Sequence, residues 1–270
     1  MTTTPPLGYA FDNDSEHATE QHRCLAAAYD GFTTHRLARL PVAPGAHCLE
    51  VGAGGGSVAR WLAARVAPTG SVLATDVKPQ HSPAAPGLRV LVHDARSDPL
   101  PEGAFDIVHA RLVLMHLPER DEVLRRLVGA LRPGGWLQLD EFDETTYGPL
   151  VPVGGCDEAA AAAYRDYLDA KLRLLRAAGV DLAWGRRAAT AMHRAGLVHV
   201  DAEPAVQQWR AHSPGTALQI HNTRHLRDRF RSAGMTDDGL RAAREVMSHP
   251  DFLATSCLMY SVQGQRPLGF

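Results

Sequence analysis

The sequence predicts an α/β fold built on a mostly parallel sheet with helices on both faces. Three observations carry this expectation. Between residues 45 and 143, short apolar runs alternate with amphipathic or broken segments, the rhythm of strand–crossover–strand units. One of those runs turns into a helix over Gly52, Gly54, Gly55 and Gly56. Three strand ends in succession carry an acid, namely Glu50, Asp76 and Asp94. In open α/β sheets ligands bind beyond the carboxyl ends of the strands, which is where those acids fall.

Residues 1–44 read as an N-terminal helical arm. After an irregular stretch holding Tyr9 and Phe11, Ser15 and Glu16 start a helix that continues through 20–29. Thr33 or Thr34 caps a second helix to Leu40, ended by Pro41 and Pro44. The core begins at 45 with a strand of Cys48, Leu49 and Val51, followed after the glycines by a helix from Ser57 with Val58, Trp61, Leu62 and Val66 at helical spacing. Glycine accepts φ > 0 and lets backbone approach a ligand, since no Cβ intervenes. A second strand spans 71–76, and Pro79, Pro83, Pro86 and Gly87 leave the next stretch too broken for a full crossover helix. Strands follow at 88–93 and 105–110. Leu117-Pro118-Glu119 opens a helix with Val123, Leu124, Leu127, Val128 and Leu131 on one face, and Arg132-Pro133-Gly134-Gly135 stops it before a fifth strand enters at Trp136. Residues 144–270 complete the sheet with helical insertions: helices at 158–178, after Trp184-Gly185-Arg186 and at 216–233, with strands at 197–201 and 252–263. The stretch from about 204 to 250, between the last two strands, is expected to overhang the sheet's carboxyl edge as a lid.

Composition narrows the function. The chain has 270 residues, 45% of them hydrophobic, and a net charge of −2 with no basic block, so the electrostatic footprint of a nucleic-acid binder is missing. No apolar run is long enough to span a bilayer and no basic-then-apolar leader opens the sequence, so a cytoplasmic protein without membrane contact is expected. Cys24, Cys48, Cys156 and Cys257 are scattered and read as reduced structural thiols. Only Lys78 and Lys171 are lysines among 28 Lys and Arg residues, a bias that suits a GC-rich genome.

The glycine turn does not complete a dinucleotide fingerprint, because Ser57 stands where the third glycine would fall. Its form is Glu50-x-Gly52-x-Gly54-x-Gly56. Taken with Asp76, Phe105-Asp106-x-Val108, His116-Leu117-Pro118 and Leu131-Arg132-Pro133-Gly134-Gly135-Trp136, it resembles the core of the class I S-adenosylmethionine-dependent methyltransferases over residues 45–143. The nearest type is the bacterial, actinobacterial-type small-molecule methyltransferase of secondary metabolism. The resemblance implies a Rossmann-like sheet whose last strand is antiparallel, with S-adenosyl-L-methionine as cofactor and S-adenosyl-L-homocysteine as product. It implies that Glu50 answers the positive end of the methionine moiety while Gly52, Gly54 and Gly56 admit the sugar and amino-acid portion. Asp76 would accept the ribose hydroxyls, Val77 would lie against the adenine, and Asp94 with Ala95 would meet the adenine amino group. Arg111 is expected near the amino-acid end, with Tyr9 covering the cofactor.

Methyl transfer from a sulfonium requires chiefly that the nucleophile be held in line, and a hydroxyl or ammonium nucleophile also needs a base. His116, after the fourth strand, and Glu141 and Asp143, after the fifth, are the candidates. His221 and His225 stand four apart on a helix, but no third ligand accompanies them at a recognisable spacing, so no metal site is expected. The expected function is methyl transfer to a small molecule of natural-product type, with homodimerisation left open. Two alternatives stand beside it. One is a protein of this fold that binds the cofactor without transferring methyl, as a cyclase or binding module. The other is an NAD-dependent oxidoreductase, which accounts for the loop and Asp76 alone.

Overall fold

The computed structural model describes residue 11 and residues 13–147 and 157–269. Helix α1 (Ala18–Leu37) precedes β1 (His47–Val51), α2 (Ser57–Val66), β2 (Ser71–Asp76), β3 (Leu88–Val92) and β4 (Phe105–Arg111). A 3-10 turn (Leu114–His116), α3 (Arg120–Ala130) and β5 (Leu131–Tyr147) come next. The remainder holds α4 (Glu158–Ala177), α5 (Trp184–Arg194), β6 (Val198–Ala205), β7 (Gln208–Arg210), α6 (Pro214–His225), α7 (Arg227–Ser232), α8 (Asp237–Ser248), β8 (Leu253–Thr255) and β9 (Cys257–Gln265).

The chain divides into a sheet unit, residues 29–143, 183–205 and 258–270, and a helical unit, residues 1–28, 144–182 and 206–257. In the sheet unit seven strands lie in the order β3-β2-β1-β4-β5-β9-β6. The pairs β1–β2, β2–β3, β1–β4 and β4–β5 are parallel, while β9 runs antiparallel to β6. Because β1 has β2 on one side and β4 on the other, the strand order reverses there, and open sheets place their ligand crevice at that reversal. Both faces are covered, so β1 reads as a nearly continuous buried run rather than an alternating one. On the face that α2 covers, Cys48, Val72, Ala74 and Ile107 meet Val58, Ala59, Leu62, Ala63 and Val66; of the expected stripe Val58, Leu62 and Val66 are buried there, while Trp61 is only partly buried against it.

Between β2 and β3 no helix forms, as the prolines dictate; turns carry the chain from Val77 to Gly87. The Arg132–Gly135 stretch is a looped-out excursion rather than a gap between elements. Leu131 already pairs with Phe105, and pairing resumes with Trp136 opposite Ile107. The excursion needs its glycines: Gly134 has φ +81°, and a Cβ on Gly135 would lie 2.9 Å from the Phe105 carbonyl oxygen.

Several elements differ from expectation. α1 is one helix, not two, because the Thr34 hydroxyl donates to the Asp30 carbonyl at 2.7 Å and stays within the helix instead of capping a new one. The helix expected over 216–233 breaks at Leu226 into α6 and α7. The single final strand is two strands, of which β8 pairs with β7 in a separate two-stranded sheet. α8 was not anticipated, although Thr236 caps it by accepting from Gly239 N–H at 3.0 Å and Leu240, Ala243 and Met247 form its buried face.

The helical unit is built around aromatic rings. Tyr164 meets Phe252 edge-on at 5.3 Å, and Tyr167 meets Phe230 at 5.4 Å. The buried Tyr167 hydroxyl donates to Gln219 Oε1 at 2.7 Å, and the Lys171 ammonium is neutralised by Glu144 at 3.1 Å, so neither polar group is left bare in the core.

Candidate active site

The glycine turn is left-handed at three points, with φ of +68° at Gly52, +51° at Gly54 and +71° at Gly56. At Gly52 a side chain is also excluded by space, since a Cβ would sit 2.4 Å from Val113 Cγ2. Gly54 N–H donates to Asp76 Oδ2 at 2.9 Å, and Lys78 N–H donates to Oδ1 at 2.9 Å. Asp76 therefore fastens the turn to the tip of β2. Val77 beside it is 52% exposed, an apolar surface turned outward from the strand end. Asp94 is engaged by the Arg96 guanidinium at 2.6 Å, which holds its carboxyl below the usual range. That pair is partly solvated, so little free energy opposes its opening. Ala95 is buried next to it.

Arg111 ends β4 and reaches back to α1. Its guanidinium pairs with Asp30 at 2.9 Å and donates to Thr33 Oγ1 at 3.2 Å, while Ser57, the first residue of α2, donates its hydroxyl to the same Asp30 at 3.1 Å. Asp30 thus joins three elements next to the glycine turn. Nothing in the sequence marks it, because a lone helical aspartate has no spacing signal.

Glu50 lies directly opposite His109 in the β1–β4 register, and His109 opposite Gln138 in the β4–β5 register. All three therefore share one sheet face, with Asp140 two residues further along β5. Glu50 Oε2 lies 2.6 Å from His109 Nδ1, and His109 Nε2 lies 3.2 Å from Asp140 Oδ2. Gln138 donates to Asp140 Oδ1 at 3.1 Å and to the Thr33 carbonyl, and Gln263 donates to Gln138 Oε1 at 2.8 Å. Burial alone would lower the His109 pKa, but the Glu50 charge and the bonds to Asp140 and Glu50 prevail and raise it to about 9. Burial opposes ionisation of Asp140 as well, yet the bond and charge of His109 hold its carboxyl below the usual range. Both ring nitrogens of the buried His109 thus face a carboxyl group, an arrangement that favours the protonated ring. His109 escaped the sequence reading because it sits inside an apolar strand.

Of the three candidate bases, His116 ends the 3-10 turn. Burial, then the neighbouring Arg120 charge, lower its pKa to about 4. Glu141 is fully buried; its Oε1 accepts from Leu114 N–H at 2.8 Å and Val113 N–H at 3.3 Å, while Oε2 has no partner among the described residues. Burial raises its pKa to about 8 despite those bonds. Asp143 is also buried and is paired with Arg186. Glu141 and Asp143 are therefore both interior groups, not solvated strand-end acids. Tyr9 lies outside the described residues. In the helical unit His17 joins His221 and His225, with ring centroids 5.3 Å and 5.1 Å away, and His221 Nε2 is 3.0 Å from the His17 carbonyl oxygen. Among the described residues no group of three His, Cys, Asp or Glu has metal-holding geometry.

A family model described as a methyltransferase domain matches residues 49–139. The methyltransferase str3 of Strobilurus tenacellus is 37% identical over 148 residues, covering 52% of this chain and 50% of the relative. The ubiquinone/menaquinone biosynthesis C-methyltransferase UbiE of Laribacter hongkongensis is 31% identical over 176 residues, 57% of this chain and 72% of the relative. Among solved structures, the YcgJ protein of Bacillus subtilis superposes with a TM-score of 0.57 at 14% identity, covering 92% of this chain and 100% of its own, which speaks to the fold alone. The chain spans about half the length of the first curated relatives it matches, 50% and 45%. The chain belongs to the class I methyltransferases.

Proposed function

We propose that the protein transfers the methyl group of S-adenosyl-L-methionine to a small-molecule acceptor by in-line displacement. The observation that carries this reading is the turn Glu50-x-Gly52-x-Gly54-x-Gly56, bound through Gly54 N–H to Asp76 at the point where the strand order reverses. The residues there fit such a cofactor in kind. Asp76 offers a carboxylate at a strand tip for vicinal hydroxyls, the exposed Val77 offers an apolar face for a base, and Glu50 offers an anion for an ammonium group. The three left-handed glycines leave a stretch of backbone without side chains between them. The N-terminal N–H groups of α2, with Arg111 nearby, suit a carboxylate. Asp94 and Ala95 sit at the end of β3, where the adenine amino group is expected, once Arg96 yields. When bound, the cofactor supplies an electrophilic methyl group that needs no further activation.

This chain's own residues then have to position the acceptor and, for a hydroxyl or ammonium acceptor, remove a proton. With a pKa lowered to about 4, His116 is neutral at pH 7 and a weak base, so we assign it to orienting the acceptor by hydrogen bonding. Glu141, raised to about 8, has a proton affinity closer to working pH, and its Oε2, without a partner among the described residues, leaves one oxygen to exchange a proton. Asp143, held by Arg186, is the weaker candidate. The acceptor's natural-product character and the bacterial secondary-metabolism type rest on the sequence resemblance. No observation favours the cofactor-binding module or the NAD-dependent oxidoreductase.

The test is a calorimetric titration of the unmodified protein with S-adenosyl-L-homocysteine and with NADH, followed by incubation with methyl-labelled S-adenosyl-L-methionine and candidate acceptors. Saturable binding of S-adenosyl-L-homocysteine alone, with label passing to an acceptor, supports the reading. Binding of NADH instead overturns it, and cofactor binding without transfer to any acceptor favours the non-transferring alternative.

A further inference from the structure

We propose that His109 is a positioning residue that keeps the Glu50 carboxyl aimed for the amino group of the cofactor, with Asp140 as its second anchor. The inference rests on the function proposed above and extends it to a side chain that touches no ligand.

The geometry is specific. Glu50 and His109 are register partners where β1 meets β4, so their side chains stand next to each other on one sheet face. Both ring nitrogens are engaged, Nδ1 with Glu50 at 2.6 Å and Nε2 with Asp140 at 3.2 Å, and the ring has no exposed surface. A neutral imidazole has one N–H, so it could donate to only one carboxylate, whereas an imidazolium donates to both. Asp140 is kept in place from behind by Gln138, which is itself held by Gln263, and Gln263 also donates to the Arg36 carbonyl at 2.8 Å. The Arg36 guanidinium pairs with Asp201 at 2.6 Å and Glu203 at 2.8 Å and donates to the Ser261 carbonyl at 3.5 Å. Among the described residues the charged partners of His109 are Glu50 and Asp140, so a protonated ring leaves one net negative charge, which an incoming ammonium group on Glu50 would neutralise.

Without the imidazolium, two buried carboxylates would face each other across a gap and one would take up a proton. Glu50 would then lose the donor that fixes its aim. The effect should be confined to the amino-acid end of the ligand, because Asp76 and Val77 belong to β2 and its tip and have no bond to this cluster among the described residues.

The experiment compares two probes on the purified chain. S-adenosyl-L-homocysteine carries the amino-acid end, and 5′-methylthioadenosine shares its adenosine and sulfur but lacks that end. His109→Leu should weaken S-adenosyl-L-homocysteine by roughly 10- to 100-fold, the worth of a charge-assisted contact, and leave methylthioadenosine unchanged. In a Glu50→Gln background, His109→Leu should add no further loss. Equal weakening of both probes would make His109 a purely structural residue, and unchanged binding of both would remove it from the site; either result overturns the proposal. Should the leucine variant not fold, nitrogen-15 spectra of the wild-type His109 ring decide. Two protonated nitrogens at pH 7, with Nδ1 shifting on addition of S-adenosyl-L-homocysteine, support the assignment, and a neutral ring or an unmoved Nδ1 overturns it. Failure of the wild type to bind S-adenosyl-L-homocysteine at all would instead refute the cofactor reading beneath it.

Discussion

At the scale of single residues, environment sorts groups that the sequence presents as equals. His116 follows β4 while Glu141 and Asp143 lie within β5, and composition alone cannot rank them as bases. In the folded chain burial pulls them apart: the His116 pKa falls to about 4 and that of Glu141 rises to about 8. His116→Ala should therefore act mainly on acceptor affinity. We expect the Michaelis constant for the acceptor to rise, while the rate at saturation falls by less than the roughly 10²-fold minimum of general-base loss. Steady-state kinetics at fixed, saturating cofactor measure both. A loss of turnover of roughly 10³-fold with an unchanged Michaelis constant would restore His116 as the proton acceptor.

At the scale of elements, what was legible was whatever repeated a local rule. The strand, glycine turn and helix from His47 to Val66, the acid-tipped β2 and the broken segment before β3 follow directly from periodicity, glycine and proline. The expected break in α1 is absent because Thr33 and Thr34 suggest a new cap that tertiary packing overrides: Thr33 and Arg36 of the same helix are fully buried. β7 and β8, three residues each, are too short to show alternation, and His109 and Asp30 gain their roles only from strand and helix neighbours distant in sequence. The exposed Gly31 is a test of how continuous α1 is. A Cβ there would meet nothing within 4 Å, so Gly31→Ala should stabilise the chain by about 0.5–1 kcal/mol in urea denaturation. A destabilised variant would mean that α1 needs a flexible point at Gly31.

At the scale of the whole molecule, the buried charges predict how stability depends on pH. The folded pKa of His109, about 9, and that of Glu141, about 8, both exceed their ordinary values of 6.5 and 4.5. Each therefore makes the folded chain bind more protons than the unfolded one. The stabilisation from Glu141 is complete below 4.5 and that from His109 below 6.5, and each is lost as pH rises through the folded value. His116, lowered from 6.5 to about 4, has the opposite sign and costs stability as pH falls across that interval. Unfolding free energy from denaturant titrations should thus decline between pH 7 and 9, with Glu141→Gln flattening the lower part of that decline. A profile that rises over this range would contradict the assigned protonation states. The strand order has a separate consequence for biogenesis. β9 lies between β5 and β6, yet it leaves the ribosome after both: β5 ends at Tyr147, β6 at Ala205, and β9 begins only at Cys257. Until then the nascent sheet has a vacant slot, and the unpaired amides and carbonyls of β5 are open to any passing strand. A ribosome that stalls before Cys257 would release a chain whose hazard is self-association with its siblings, and the tempo of translation through the α6–α8 region sets how long that hazard lasts.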